Sequence, residues 1–462
     1  MNKRFSHIWL DNRGPFIMFI LLALIQAVFY LFSVGPLTIP DPDLHANTSY
    51  ALATGQILNL PESDHDRYGN KVKNQSISGD SRYLMTQGRN NDFVYKIIGN
   101  AFTHDNHKND QKRNDRSSGE YVTIPNIKVK SNRSNQYFPV LYVPQAIGLW
   151  LAIHLNTSPY HAWQAARISN FTFFLVMFCL SIALTPRDKY FFVIIGTLPA
   201  TIFLASSLMS DSFFLAVSAC FLSLVLFLAQ NGKPVGKKAF IGLVTLTALL
   251  FFSKIVYVAM AILVLALPNA ILNWKRKTAY VGIAAACTLP VYTLWSHLYG
   301  TTWAIACVDS NAQALLHNPI KATIMIVWNI FFLFQKGLGI PGALTMEMTL
   351  LLILALLVLL AGKQLRSPHG MTWHQAISTN RYAILAFISA LLAIGATYGY
   401  ELLIWNQLPY MVLTSEIQGF QGRYLLPLLP LLACLPLQVQ REEIMPLARL
   451  KETGTVSTPA HD

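Results

Sequence analysis

Ser212-Phe-Phe-Leu-Ala-Val-Ser-Ala-Cys-Phe-Leu-Ser-Leu-Val-Leu-Phe-Leu-Ala-Gln230 contains no charged side chain. Roughly 20 mostly apolar residues in helical conformation reach across the hydrocarbon core of a bilayer, so this stretch predicts a transmembrane helix. Comparable runs cover about 15–34, 168–185, 189–207, 239–253, 255–272, 278–297, 347–362, 382–403 and 424–438, giving about ten crossings. Two further stretches, 138–155 and 320–337, are interrupted or flanked by polar residues and are read as interfacial or re-entrant helices. The expected fold is therefore an all-α polytopic membrane bundle of about 10 (10–12) transmembrane helices. A membrane barrel would instead show alternating strands of about 10 residues.

Composition agrees. Of 462 residues, 53% are hydrophobic and 12% charged, against about 25% charged in soluble domains. The net charge of +13 is read as loop topology rather than nucleic-acid binding, because Lys and Arg gather in short cytoplasmic loops. The run 15–34 follows Lys3, Arg4 and Arg13, with no small-residue cleavage site after it, and reads as a retained anchor. Of the five cysteines, only Cys307 falls outside an apolar run, so neither a disulfide framework nor a metal-ligand spacing is indicated.

With a cytoplasmic N-terminus, ten crossings put the loops at 186–189, 233–238, 274–277 and 363–366, all basic, on the cytoplasmic side, as the positive-inside rule requires. The expected organisation is a cytoplasmic 1–14, a first helix 15–34 and an extracytoplasmic loop 35–167 with interfacial helices. Helices two to seven follow over 168–297, then a second outer loop 298–346, three helices over 347–438 and a cytoplasmic tail 439–462. Within the first loop, His104–Ser118 is almost wholly polar and reads as a mobile tract with too little apolar surface to offset ordering.

Ionisable residues beside apolar spans are costly and mark candidate sites. Here they are Asp41, Asp43 and His45 after the first span, Arg167, Asp211, Lys254 and Arg423; the threading puts them all on the outer face. Arg and Lys on that side ask for an anionic partner such as a headgroup-level phosphate, or else snorkel or pair with a carboxylate such as Asp211. Ile39-Pro-Asp-Pro-Asp-Leu-His45 reads as a stiff turn rather than a helix. Its carboxylates fit a general base, a shared divalent cation such as Mg or Mn, or a cap on a helix beginning near Ala46.

Taken in order, Asp41-Pro-Asp-Leu-His45 with Gly55, Tyr137-Phe-Pro-Val-Leu-Tyr-Val-Pro144, Arg167, Ser206-Ser-Leu-Met-Ser-Asp211, Lys254-Ile-Val-Tyr257 and Gln421-Gly-Arg-Tyr-Leu-Leu-Pro427 resemble a family of bacterial membrane proteins similar to the GT-C glycosyltransferase superfamily. The first motif departs from that family's Asp-Glu-Pro-x-His, keeping Asp41 and His45 at their spacing. The resemblance implies a GT-C-like bundle in the bacterial cytoplasmic membrane, moving a sugar from a polyprenyl-phosphate donor to a lipid or polysaccharide acceptor of the cell envelope. It further implies a general base in the first outer loop, for which Asp41, Asp43 and His45 are the candidates. Arg423, Lys254, Arg167, Gln421 and Tyr424 would bind the donor phosphate, with Asp211 and Tyr137 in support. Membrane lipids are the other expected partner, and no nucleic acid is expected. A transporter or flippase of lipid-linked glycans, or a non-catalytic envelope-assembly partner, is the alternative.

Overall fold

The computed structural model describes residues 3–35, 42–65, 71–79, 84–87, 95–97, 127–131, 137–185, 189–301, 308–330 and 381–434. It is a helical polytopic membrane protein. Among the described residues, five helices are long and apolar enough to cross a bilayer, with membrane segments at Arg13–Ser33, Tyr160–Leu184, Asp211–Asn231, Trp274–Leu298 and Arg381–Trp405. The segment 212–230 lies at the centre: 89% of its apolar window is buried, against 17% for the first helix. That first helix, α1 (Lys3–Ser33), turns Ile17, Leu21, Ile25, Val28 and Phe32 outward. An apolar exposed face suits lipid rather than water.

In chain order, α2 (Pro42–Ala53) follows α1, and a small sheet region comes next: β1 (Glu62–His65), β2 (Lys71–Gly79), β3 (Met85–Gln87), β4 (Tyr95–Ile97) and β5 (Ile127–Ser131). Then come α3 (Val143–His154), α4 (Pro159–Leu184), α5 (Lys189–Gly196), α6 (Pro199–Ala205), α7 (Asp211–Asn231) and α8 (Lys237–Ser253). After these come α9 (Ile262–Leu265), α10 (Trp274–Leu298), α11 (Val308–His317), α12 (Pro319–Trp328) and α13 (Arg381–Trp405). Local chemistry sets several boundaries. Ser158, Asn273 and Asn318 accept backbone N–H groups at the starts of α4, α10 and α12, satisfying donors that a helix N-terminus leaves open.

Several segments depart from the sequence expectation. The run 189–207 is two helices, broken before Pro199, where proline disfavours a helical residue ahead of it. The run 255–272 opens as a 3-10 helix, Ile255–Ala261. The run 424–438 is 3-10 over Gly422–Cys434, with Pro427 and Pro430 inside, each removing an N–H that an α-helix would use. The stretch 138–155 forms a 3-10 turn, Pro139–Tyr142, and α3, shorter than a crossing requires. Of 320–337, the described part is α12 with Asn329 and Ile330. The run 347–362, the tract 104–118 and the tail 439–462 lie outside the described residues.

The first loop carries antiparallel strands, ordered β1-β2-β5 in one sheet and β3-β4 in another. Strand β2 pairs with β1 through Asn74 and with β5 from Gln75 onward. Its buried residues, Val72, Gln75 and Ile77, break the two-residue period where the partner changes, so the strand hides from a search for strict alternation.

The bundle has two chemically distinct ends. At one, Gly14 lies against the Tyr190 hydroxyl, Val235 N–H donates to the Ile271 carbonyl at 2.9 Å, and Lys277 Nζ donates to the Leu265 carbonyl at 2.8 Å. Lys233, Lys237, Lys238, Lys275 and Arg276 belong to the same connections. At the other, α1, α8, α10 and α13 end while α4 and α7 begin.

Candidate functional site

This second end is organised by buried polar side chains that fix its loops. The Ser206–Ser210 connection lies between α6 and α7, and its carbonyls need donors. Asn170 donates to the Ala205, Ser207 and Met209 carbonyls, and Gln145 to those of Leu208 and Met209. Arg167 Nε donates to the Ser206 carbonyl at 2.6 Å, Nη2 to Tyr30 at 2.9 Å, and Nη1 to Val34 at 2.9 Å and Leu31 at 3.5 Å. A further Nη1 bond reaches Gln164 Oε1 at 3.0 Å. Arg167, assigned to donor phosphate by the resemblance, thus spends its donors on the last carbonyls of α1 and on this connection.

The connection delivers Asp211 to the first turn of α7, where a carboxylate is favoured by the helix dipole. Its Oδ1 stands 3.6 Å from Arg423 Nε, with both side chains under a tenth exposed. Arg423 Nη1 also points at Met209 Sδ, 3.9 Å away. Lys254, in extended conformation between α8 and the 3-10 turn, lays its ammonium over the Tyr424 ring, 3.5 Å from the centroid. Tyr257, from the same motif, donates its hydroxyl to the Tyr424 carbonyl at 2.8 Å. Gln421 accepts from Tyr424 N–H at 3.0 Å through its carbonyl.

Three asparagines hold the 406–422 segment that brings Arg423 here. Asn406 donates to the Glu401 and Gln418 carbonyls and accepts from Gln418 N–H. Asn311 accepts from Leu408 N–H, and Asn329 from Ile417 N–H. Gly419 has φ +96, and a Cβ there would stand 2.5 Å from Trp405 Cδ1 and 2.7 Å from Glu401 Oε2. Only glycine fits both the backbone angle and the space.

The expected turn at 39–45 is a helix from Pro42. Proline is tolerated at the first helical position, where its missing N–H has no intrahelical acceptor anyway. Asp41 lies outside the described residues, and Asp43 is described only as backbone of α2. His45 is buried, with Nδ1 3.0 Å from the Tyr142 hydroxyl. Burial, reinforced by the Arg423 charge, pushes its imidazole down to about 3, so it is neutral at physiological pH. Tyr137 is held well above the usual phenol range by burial and by Tyr400, Tyr424, Glu401 and Tyr142 around it, and it stays protonated.

The site thus joins His45, Tyr137, Asp211, Lys254, Arg423 and Tyr424, drawn from segments nearly 400 residues apart. Sequence reasoning missed Glu401, only 2% exposed, whose charge acts with that of Asp211 on Lys254. The available signal was an acidic residue inside the apolar run 382–403. Among the described residues no group of three or more His, Cys, Asp or Glu could hold a metal ion; the Asp41/Asp43 cation site lies outside the described side chains.

No curated protein and no solved structure matches the chain. The family described as predicted membrane protein, DUF2142, matches residues 18–432. Nearly the whole described bundle and every described site residue fall inside that match, and the chain belongs to the DUF2142 family of predicted membrane proteins.

Proposed function

We propose that the protein is a membrane glycosyltransferase that moves a sugar from a polyprenyl-phosphate donor to a cell-envelope polysaccharide or glycolipid acceptor. The observation that carries this reading is the buried meeting of Lys254 and Arg423 with Asp211 and Glu401 at one end of an apolar bundle. Its support is chemical: such a cluster offers cations to a phosphate leaving group at the depth of a lipid headgroup. The basic connections at the opposite end favour a cytoplasmic assignment for that end and an outer-face assignment for the cluster. Both termini would then be cytoplasmic, in the bacterial cytoplasmic membrane.

In the reaction, the acceptor hydroxyl oxygen bonds to the anomeric carbon while the bond from that carbon to the phosphate oxygen breaks. The hydroxyl proton goes to a carboxylate, which the family resemblance assigns to Asp41, and the electron pair leaves on the phosphate, facing Lys254 and Arg423. His45, being neutral and bonded to Tyr142, orients rather than supplies charge.

The test is transfer from radiolabelled polyprenyl-phosphate sugars to envelope acceptor lipids by protein in nanodiscs. The wild type should transfer, and Asp41→Asn and Arg423→Gln should lower the rate by roughly a hundredfold or more. Transfer unchanged in Asp41→Asn would remove Asp41 as the base. No transfer with any donor, alongside movement of lipid-linked glycan between leaflets, would replace the enzyme by a flippase.

A further inference from the structure

Glu401 stands four residues before the end of α13, almost fully buried. Its Oε2 has no hydrogen-bond partner among the described residues. A buried carboxylate oxygen without a donor is costly, and a ligand that supplies the donor would account for it. Two further observations point the same way. Among the described residues no ion pair joins Glu401 to Lys254, whose ammonium meets the Tyr424 ring. The residue packed against Oε2 is Gly419, where any Cβ would come within 2.7 Å of that oxygen, so this neighbour brings no side-chain donor to the carboxylate.

From these we infer that Glu401 reads the sugar of the donor: Lys254 takes the phosphate, and Glu401 Oε2 accepts a hydrogen bond from a sugar hydroxyl. The site is thereby built for a hydroxylated glycosyl phosphate rather than for a bare lipid phosphate. The inference rests on the glycosyltransferase reading and adds to it a specificity-determining residue. Hydrogen bonding is asymmetric in this respect: a site built around a ligand hydroxyl rejects the analogue that lacks it, because its own group is left unpaired.

The experiment measures binding of polyprenyl phosphate, and of the same lipid carrying a hexose on its phosphate, to the full-length protein in nanodiscs. Wild type should prefer the hexose lipid by roughly tenfold to a hundredfold, the range of one hydrogen bond to a charged group. Glu401→Gln should collapse that preference, with the affinity for the bare lipid moving far less, and Glu401→Asp should keep part of it. A parallel series of deoxyhexose lipids on wild type needs no variant: removing one particular hydroxyl should abolish the preference. A preference that persists in Glu401→Gln, or that no single deoxy position reduces, overturns the role of Glu401 and leaves the glycosyltransferase reading standing. Failure of wild type to bind either lipid overturns that reading, and this inference with it.

Discussion

Arg167→Lys separates an arginine that builds the bundle from one that binds a ligand. The guanidinium serves five acceptors: the carbonyls of Tyr30, Leu31, Val34 and Ser206, and Gln164 Oε1. A lysine brings three donors from a single atom, so at least two acceptors lose their partner. An unsatisfied buried polar group costs about 1–3 kcal/mol, which puts the loss at about 2–6 kcal/mol, toward the lower figure because some of these carbonyls are only partly buried. Arg167→Leu should cost more, since every one of the five contacts goes. The assay is thermal unfolding in detergent followed by tryptophan fluorescence, with binding of polyprenyl phosphate measured well below the transition. The expected result is a clear loss of stability for Arg167→Lys with lipid affinity within about twofold of wild type. Undiminished stability together with lost lipid binding would refute the structural assignment and return Arg167 to the phosphate.

Gly419→Ala should destabilise the protein by about 2–4 kcal/mol, combining the cost of a left-handed residue with overpacking against Trp405 and Glu401; unfolding in detergent measures it, and a neutral effect would mean that the 406–422 segment shifts freely. Asp211→Asn should cost about 3 kcal/mol by removing a carboxylate that faces the buried Arg423, and the double variant Asp211→Leu/Arg423→Met should recover most of that stability while losing transfer. His45 gives a pH effect of definite sign. Its imidazole titrates near 6.5 when unfolded and is pushed down to about 3 in the fold, so the unfolded chain binds the extra proton between those values. The stability it contributes is present above 6.5 and is lost as pH falls toward 3, reaching about 2–3 kcal/mol at pH 4.5. Comparing wild type with His45→Gln by thermal melts at pH 7 and pH 4.5 checks this, the variant being expected to lose less on acidification.

What the sequence made legible depended on the range of the signal. Segment 212–230 declares a membrane helix by composition alone, and among the described membrane segments it is the most buried. Lys254, Asp211 and Arg423 were found because charge beside apolar runs is conspicuous, and the structure brings all three together. Arg167 was equally conspicuous, yet nothing local says whether a guanidinium faces a phosphate or the carbonyls of a helix end more than 130 residues away. Glu401 was overlooked because it sits within a run whose mean hydropathy already reads as a span. The asparagine staples at Asn311, Asn329 and Asn406 join positions up to about 97 residues apart, with no periodicity to reveal them. The start of α2 was misread because proline was weighed as a breaker, although at Pro42 it opens the first turn, where an N–H has no intrahelical acceptor.

The two cations of the cluster are not equivalent, and their difference suggests how an anion would be received. Arg423 already faces Asp211 at 3.6 Å, so an incoming phosphate would have to compete with a carboxylate for it. The Lys254 ammonium lies against the Tyr424 ring, a contact worth about 0.5–2 kcal/mol and weaker than a charge-assisted bond to phosphate. The ammonium can therefore turn to the ligand at small cost, while the Arg423–Asp211 pair stays closed until charge grows on the departing oxygen. A group that responds more strongly to the transition state than to the bound substrate raises turnover rather than affinity alone. In the proposed reaction Lys254 would hold the ground-state phosphate and Arg423 would be reserved for the leaving group, with Asp211 compensating the arginine until charge develops there.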